Sequence, residues 1–398
     1  MCNSPSSRVF PGSAAGILCA IALAGCAANP TCPPVTAAPT HVFRYEPAGW
    51  NELPGWSSDT TQEVWPAYLA SCRDLRFRAG WSEVCAAAQG VAAAAGAAEV
   101  RGYFEQHFVP YRLQKGTGAN AEATGLVTGY YEPLLRGART VSAEFNTALY
   151  APPQDLLTVD LSSLYPELKG KAVRGRLDGN RVVPYYTRAE LGADPALRGK
   201  ELVWVDSPLD AFALQIQGSG RVQLEDGETV RIQYADQNGQ PYHSIGRYLV
   251  DRGLLTVEQA TTQGIRAWLE ANPGRMQEVL DANPSVVFFK EVPLGNPEEG
   301  PKGAESVALT PGRSIAVDAA YVPLGAPVFL ATTLPASDAP LERLVIAQDT
   351  GGAIRGAPRA DFFWGTGNEA RDMAGKMRQT GEMWLLWPRG LTLPQPPK

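Results

Sequence analysis

Histidine and cysteine are scarce in this sequence, and their scarcity argues against several kinds of site. The three histidines, His41, His107 and His243, are scattered along the chain, which disfavours a histidine-dependent catalytic triad. The six cysteines include no C-x-x-C motif, which disfavours a cysteine-based metal centre. We therefore expect neither a metal ion nor a cofactor.

Charge is also low. Charged residues make up 19% of the chain, the formal net charge is −6, and no group of Lys and Arg forms a phosphate-binding stripe. This pattern argues against nucleic acid as a partner. Hydrophobic residues make up 44% of the 398 positions, which is enough for a large core in two domains or in one domain with a large insertion.

The apolar segment near the N-terminus, Ala14 to Ala24, is too short to span a bilayer as a stop-transfer helix. It follows the cation Arg8 and runs into Leu23-Ala24-Gly25-Cys26, which resembles a bacterial lipobox. We predict a signal peptide over residues 1–25 and a lipid on Cys26. The alternative is an ordinary cleaved signal with an incidental cysteine.

Residues 26–47 are rich in Pro, Ala and Thr and are predicted to form an extended tether. Ala27, rather than Asp, follows the lipidated cysteine, which in bacterial lipoproteins favours the outer membrane. The expected location is thus the periplasm, with the lipid anchor in the outer membrane. In an oxidising periplasm, Cys72 and Cys85 are the natural disulfide pair, and Cys32 has no assigned partner.

The pattern of the remaining chain changes from helical to β. Helical patterns occupy residues 65–108, whereas residues 214–242 alternate like strands, with turn signals at Asp226-Gly227 and Asn238-Gly239. Three helices should follow, the second opening with a capping box at Thr256. A last β block runs from Val286, interrupted by one helix around residues 368–377. So many short strands favour a small closed barrel.

Two hydrolase classes fit the sequence poorly. Asp349 begins an Asp-Thr-Gly motif typical of aspartic proteases, but that mechanism needs a second such carboxylate. Asp206 continues as Ser-Pro, and neither Asp318 nor Asp361 is followed by Thr-Gly or Ser-Gly. Ser219 stands in Gln-Gly-Ser-Gly, which is not the G-x-S-x-G motif of serine hydrolases. Carboxylate chemistry on an aromatic-lined groove, as in glycoside-cleaving enzymes, remains.

Six ordered motifs resemble the membrane-bound lytic murein transglycosylase A family. The resemblance covers most of the chain beyond about residue 65. The motifs are TGYYEP (128–133), LQIQGSGRV (214–222), NPSVVFF (283–289), LTPGRSIAVDAAYVPLGAPV (309–328), AQDTGGAIRG (347–356) and ADFFWGTG (360–367).

The resemblance implies a fold that is mainly β with α. Its first part is a double-psi β-barrel domain with N-terminal helices, over residues 48–135 and 297–398. A second β-rich domain, residues 136–296, would be inserted between these segments and form the other wall of a glycan-binding groove.

The resemblance also implies a peptidoglycan lytic exotransglycosylase. Such an enzyme cleaves the β-1,4 bond between N-acetylmuramic acid and N-acetylglucosamine and leaves a 1,6-anhydro end, with Asp361 as the catalytic acid and base. Because the attacking 6-hydroxyl belongs to the sugar itself, one carboxyl can serve twice. Taken without the family, Asp361 would be interpreted as a turn-capping residue.

The family motifs indicate further residues of the site. Asp349 and Asp318 are predicted to support Asp361, with Asp349 accepting backbone N–H bonds. Aromatic faces stack on sugars, although buried tyrosines are also common in protein cores. The predicted substrate-binding residues are Tyr130, Tyr131, Glu132, Gln217, Ser219, Gly351 and Gly352.

The sequence leaves some questions open. The alternative function is a non-catalytic peptidoglycan-binding lipoprotein that uses the same groove. We expect glycan strands of peptidoglycan as the partner, a monomer, and a possible role in a cell-wall synthase complex.

Overall fold

The computed structural model describes residues 43–396 except 93, 117–120, 166–167, 169–172 and 193–194. The predicted signal peptide, Cys26 and Cys32 lie outside these residues. Within the described ranges, no helix combines the length and apolar character needed to cross a membrane. The same ranges hold no cluster of side chains suited to a metal ion.

The first described segment corrects the predicted tether. Residues 43–47 are not part of an extended linker but form a strand, β1 (Phe43–Pro47), which pairs antiparallel with residues 111–115. Phe43 is buried against Tyr45 and Tyr321, and the Tyr45 hydroxyl donates to the Tyr321 carbonyl at 2.6 Å. Aromatic burial therefore holds this segment on the folded domain.

The predicted helical region consists of three helices and leads into two strands. A disulfide joins Cys72 in the first helix to Cys85 in the second. The elements are α1 (Trp65–Leu75), α2 (Ser82–Ala88), α3 (Ala97–His107), β2 (Phe108–Lys115) and β3 (Thr124–Glu132).

The middle of the chain forms two further sheets and a group of helices. Its strands are β4 (Leu134–Ala138), β5 (Thr147–Tyr150), β6 (Leu157–Thr158), β7 (Arg174–Asp178), β8 (Arg181–Pro184), β9 (Glu201–Val205), β10 (Ser219–Leu224), β11 (Thr229–Gln237) and β12 (Val287–Val292). Its helices are α4 (Arg188–Leu191), α5 (Pro208–Gln217), α6 (Ile245–Asp251), α7 (Thr262–Ala271) and α8 (Met276–Asp281). The larger sheet has the order β12-β11-β10-β4-β9-β5, and β6, β7 and β8 form the smaller one.

Two predictions for this region were wrong in detail. Residues 214–217 end helix α5 and are not a strand, because Ser207 caps the helix by accepting the Asp210 N–H and Gly218 terminates it with a φ of 79°. The Thr256 capping-box bonds to Gln259 do form, but they close an isolated turn. Helix α7 begins only at Thr262, after the N-cap Thr261.

The C-terminal block follows the predicted pattern of strands and one helix. Its elements are β13 (Ser314–Ala316), β14 (Pro327–Thr333), β15 (Pro340–Asp349), β16 (Arg359–Thr366), α9 (Gly367–Lys376) and β17 (Arg378–Pro388).

These C-terminal strands close into a barrel with β3. The sheet order is β1-β2-β17-β14-β15-β13-β16-β3, and β3 also pairs with β17, so that six strands form a ring. The main apolar core includes Ile315, Val328, Phe362 and Leu385, together with side chains of α1 to α3. Because β3 runs on into β4 through Pro133, a barrel strand leads directly into the second sheet. The psi-type crossing of the barrel remains a prediction.

Candidate active site

A row of four residues runs across the barrel wall. The register pairs Asp349 on β15 with Ala316 on β13, Ala316 with Asp361 on β16, and Asp361 with Thr128 on β3. Directly paired residues point to the same face of a sheet. The two aspartates are therefore two strands apart on one face, with only the small side chain of Ala316 between them.

Alternation along β16 determines which face carries Asp361. Phe362 is fully buried in the barrel core, whereas Phe363 packs against Tyr130 with ring centroids 5.1 Å apart. Since successive side chains of a strand point to opposite faces, Asp361 points away from the core. Phe363 and Tyr130 form a separate apolar cluster on that outer face, together with Leu309, Ala316 and Ile354.

The Asp361 carboxyl is removed from solvent, but among the described residues no cation forms a direct ion pair with it. Thr128 Oγ1 donates to Asp361 Oδ1 at 2.6 Å, and Arg359 Nη2 donates to Thr128 Oγ1 at 2.9 Å. Burial is the largest influence and raises the pKa of Asp361 from 3.8 to about 6, with Asp349 adding to the rise and Thr128 and Arg359 opposing it. The side chain is nevertheless partly exposed. Such a carboxyl can exist as an acid and as a base near neutral pH.

Asp349 is held by donors from three directions. Its Oδ1 accepts the backbone N–H groups of Ala304 and Thr350, each at 2.9 Å, and its Oδ2 accepts the Tyr130 hydroxyl at 3.1 Å. Burial still raises its pKa, although these hydrogen bonds act in the opposite direction. Burial and the negative charges of Asp349 and Asp361 raise the pKa of Tyr130. Tyr130, Asp349 and Asp361 therefore form one electrostatic unit.

A buried polar network lies behind Asp349. Gln348 Nε2 donates to Ser71 Oγ at 2.9 Å, and Ser71 Oγ donates to Glu305 Oε2 at 2.6 Å. The other oxygen of Glu305 has no hydrogen-bond partner among the described residues, and burial raises the pKa of this glutamate to about 7. Glu305 directly follows Ala304, so the network supports the segment that donates to Asp349.

Asp318 stabilises the loop between β15 and β16. Its Oδ1 accepts the Ala320 N–H at 3.1 Å, and its Oδ2 accepts the Gly356 N–H at 2.7 Å. Gly351 and Gly352 belong to the same loop. Gly352 is exposed and has no neighbouring atom where a Cβ would lie, whereas at Gly351 a Cβ would lie 2.9 Å from Ile354.

Glu132 is enclosed by cations and does not present its carboxylate to a ligand. Arg221 Nε donates to one carboxylate oxygen at 2.8 Å and Arg231 Nε donates to the other at 2.9 Å. Both arginines also donate to the Glu299 carbonyl. Glu132 is only 1% exposed and Ser219 only 8%. The Glu132 contacts join the end of β3 to the second sheet and to the returning chain.

Tyr131 points to the other face of β3. It contributes to a small cleft of about 70 Å³ between α5 and α9, which is also lined by Asp210, Asn368 and Arg371. Gln217 Oε1 accepts the Tyr131 N–H at 3.1 Å, which connects the end of α5 to β3. The structure therefore groups Tyr130 with the aspartates and Tyr131 with the cleft. A larger cavity of about 280 Å³ near Trp50 and Trp56 has no carboxylate in its lining.

The sequence did not indicate which residues would surround the carboxyl groups of Asp361 and Glu132 and influence their charge. Arg359 stands two positions before Asp361, and strand alternation could have placed the two side chains on one face. Thr128 stands in a quoted motif, but its register with Asp361 is a tertiary contact. No local signal indicated that Arg221 and Arg231 would neutralise Glu132.

Comparison with known proteins agrees with this architecture. The family model of the MltA specific insert domain matches residues 126–290, and that of the 3D domain matches residues 313–387. Membrane-bound lytic murein transglycosylase A of Escherichia coli (strain K12) is 32% identical over 276 residues, which span 68% of this chain and 67% of the relative. This chain belongs to the membrane-bound lytic murein transglycosylase A family.

Solved structures related to this family share the fold. The monoclinic form of MltA from Neisseria gonorrhoeae superimposes with a TM-score of 0.76 at 36% identity, covering 89% of this chain and 95% of that one. E. coli MltA with bound chitohexaose gives a TM-score of 0.63 at 26% identity, with coverage of 87% and 94%. The predicted fold class, mainly β with α, is thus confirmed.

Proposed function

We propose that this protein is a lytic transglycosylase that cleaves the β-1,4 bond between N-acetylmuramic acid and N-acetylglucosamine in peptidoglycan. Family membership supports peptidoglycan cleavage, because the curated E. coli relative is named a lytic murein transglycosylase. The chitohexaose bound to E. coli MltA supports a glycan ligand. The single observation that carries the mechanism is the desolvated carboxyl of Asp361, whose pKa is raised to about 6.

In the first step, protonated Asp361 transfers its proton to the glycosidic oxygen as the bond to the anomeric carbon of the muramic acid breaks. The departing N-acetylglucosamine leaves with a hydroxyl group. An oxocarbenium-like sugar and the Asp361 carboxylate remain, and the nearby negative charges stabilise the cationic sugar.

In the second step, the 6-hydroxyl of the same muramic acid attacks the anomeric carbon and gives its proton to Asp361. The product is a 1,6-anhydro ring, and the aspartic acid is regenerated without water. An intramolecular hydroxyl has a high effective concentration, so no second carboxylate is needed to activate a nucleophile.

Asp349 and Tyr130 support this chemistry electrostatically. The charge of Asp349 raises the pKa of Asp361, so it helps to retain the proton needed in the first step. Asp318 positions the loop that carries Gly351 and Gly352. Tyr131 lines the cleft and is the best placed of the four remaining proposed sugar contacts, with its backbone N–H bound by Gln217. Glu132 and Ser219 are buried and act by holding the end of β3 and β10 in place.

We keep as proposals the cellular location and the domain organisation that the sequence predicts. The membrane-bound relatives support a membrane-associated periplasmic protein, with Cys26 as the proposed site of the outer-membrane lipid anchor. Residues 48–135 and 297–398 are the proposed barrel domain and residues 136–296 the inserted domain. The monomeric state and the synthase complex remain proposals.

Digestion of purified sacculi tests the function directly. The wild-type protein should release muropeptides with 1,6-anhydromuramic acid ends, identified by mass spectrometry. Asp361→Asn should lose about a thousandfold or more of this activity while remaining folded, because one residue supplies both proton transfers. Reducing muramic acid ends as the main product would assign the protein to ordinary hydrolases. Sacculus binding without any soluble product would favour the non-catalytic alternative.

A further inference from the structure

The hydrogen bonds around Thr128 have a fixed direction. Arginine can only donate hydrogen bonds, so the 2.9 Å contact from Arg359 Nη2 makes Thr128 Oγ1 an acceptor. The hydroxyl has one hydrogen, and Asp361 Oδ1 lies 2.6 Å away to receive it. The resulting chain runs from Arg359 through Thr128 to Asp361.

Arg359 is itself fixed to the backbone. Its Nη1 donates to the Leu126 carbonyl at 3.3 Å and to the Ala360 carbonyl. These contacts hold the guanidinium between β16 and β3. Among the described residues it makes no hydrogen bond to Asp361, so its charge acts on the carboxyl at a distance and through the threonine.

We propose that Thr128 is the positioning residue of Asp361: by occupying Oδ1, it leaves Oδ2 as the oxygen that gives and regains the proton. This inference rests on the proposed transglycosylase function. The proton leaves Oδ2 for the glycosidic oxygen and returns to it from the 6-hydroxyl. Oδ1 accepts the threonine hydrogen in both states, and Oδ2 accepts no hydrogen bond from the described residues.

Threonine suits this position for two reasons. Its β-branched side chain favours a strand conformation and has restricted χ1 rotation. Its register opposite Asp361 directs the hydroxyl at the carboxyl. Thr128→Val keeps the shape and removes the hydroxyl, whereas Thr128→Ser keeps the hydroxyl. The pair therefore separates hydrogen bonding from packing.

Steady-state release of anhydromuropeptides is the first readout. Thr128→Val should lower kcat by about tenfold to a hundredfold with KM nearly unchanged, because a misplaced carboxyl affects the transition state more than binding. Thr128→Ser should retain kcat within a few fold. Equal activity of the valine and wild-type proteins would overturn the proposal.

The titration of Asp361 is the second readout and does not depend on activity. NMR of carboxyl-labelled protein, assigned with Asp361→Asn, should show a higher Asp361 pKa in Thr128→Val and in Arg359→Met, since both changes remove an influence that lowers it. An unchanged titration in folded Thr128→Val would also overturn the proposal. If the titration shifts but the wild-type protein releases no product, the positioning holds and the proposed function fails.

A double-mutant cycle tests whether Arg359 acts through the threonine. If it does, Thr128→Val combined with Arg359→Met should reduce kcat by less than the product of the two single effects. Fully multiplicative effects would show that Arg359 and Thr128 act independently and would remove Arg359 from the positioning chain.

Discussion

Two carboxyl groups of the molecule have different surroundings: that of Glu132, at the junction between β3 and the second sheet, and that of Asp361, on the outer face of the barrel. Glu132 has a guanidinium group on each oxygen and is almost fully buried. Asp361 is desolvated as well, but its only hydrogen-bond donor among the described residues is the neutral hydroxyl of Thr128. Arg359, whose charge lowers the pKa of Asp361, contacts the threonine instead.

Glu132 is the more deeply buried of the two, but the larger difference lies in the counter-ion. A buried carboxylate with two bound arginines is a fixed charge that links strands. A desolvated carboxyl without a directly bound cation keeps a proton to higher pH and can exchange it. A carboxyl group therefore links strands at one end of β3 and, in the proposed mechanism, transfers protons beside its middle.

The largest predicted effect on stability is at the junction. Glu132→Gln should lower the free energy of unfolding by about 3–5 kcal/mol, because both arginines remain buried without their counter-ion. Urea denaturation measures this change. The matched control is Glu144→Gln, which breaks the exposed Arg136–Glu144 pair and should cost less than about 1 kcal/mol. Similar costs for the two variants would show that the buried ion pairs of Glu132 contribute no more than an exposed pair.

Like Asp361, the Glu305 carboxyl is predicted to keep its proton to a higher pH than usual, because no cation contacts it among the described residues. Its folded-state pKa of about 7 lies above the ordinary 4.5, so the neutral form is favoured by folding. This contribution is complete below about pH 4.5 and is lost as the pH rises through about 7. At alkaline pH, Glu305→Gln should therefore be more stable than the wild type, by roughly 3 kcal/mol. Thermal unfolding across this pH range tests the sign.

Asp361 should show a smaller effect of the same sign. Its pKa rises from 3.8 to about 6, so its stabilising contribution is complete below about pH 4 and disappears as the pH passes about 6. Above that pH, Asp361→Asn should raise the free energy of unfolding by roughly 3 kcal/mol, slightly less than Glu305→Gln because its pKa rises slightly less. The proposed catalytic role would make this an example of a group retained for activity at a cost in stability, which is a common trade-off. Equal stability of the two proteins at neutral pH would argue against desolvation of this carboxyl.

The smallest predicted effect concerns the hydroxyl of Tyr130. Tyr130→Phe removes one of the three described hydrogen bonds to Asp349 and should cost about 1 kcal/mol of unfolding free energy. The pKa of Asp349 should also rise, since that bond lowers it. Tyr248→Phe is the control, because its hydroxyl contacts Glu278 at the surface. A cost for the control as large as that for Tyr130 would show that the site geometry adds nothing.

Much of the fold could be predicted because its signals are local. The N-terminal helical region, the last β block and helix α9 follow from periodicity and composition, although the break between α2 and α3 was not predicted. The errors at β1 and α5 have different origins. Residues 43–47 become a strand only because distant aromatic side chains cover them. At residues 214–217, the alternation of apolar and polar residues predicted a strand, but the local helix signals, the cap at Ser207 and the terminating Gly218, determined the structure.

The sequence by itself determined the candidate chemistry: few histidines and cysteines, ordered family motifs, and an aspartate in an aromatic strand. Only the tertiary structure decided which carboxyl group would be paired with cations. Thr128 lies 233 residues from Asp361, and Arg231 lies 99 residues from Glu132. The physical reason is that a carboxyl's proton affinity depends on the solvent and charges within a few ångströms, and barrel closure and strand register, not chain proximity, supply these neighbours.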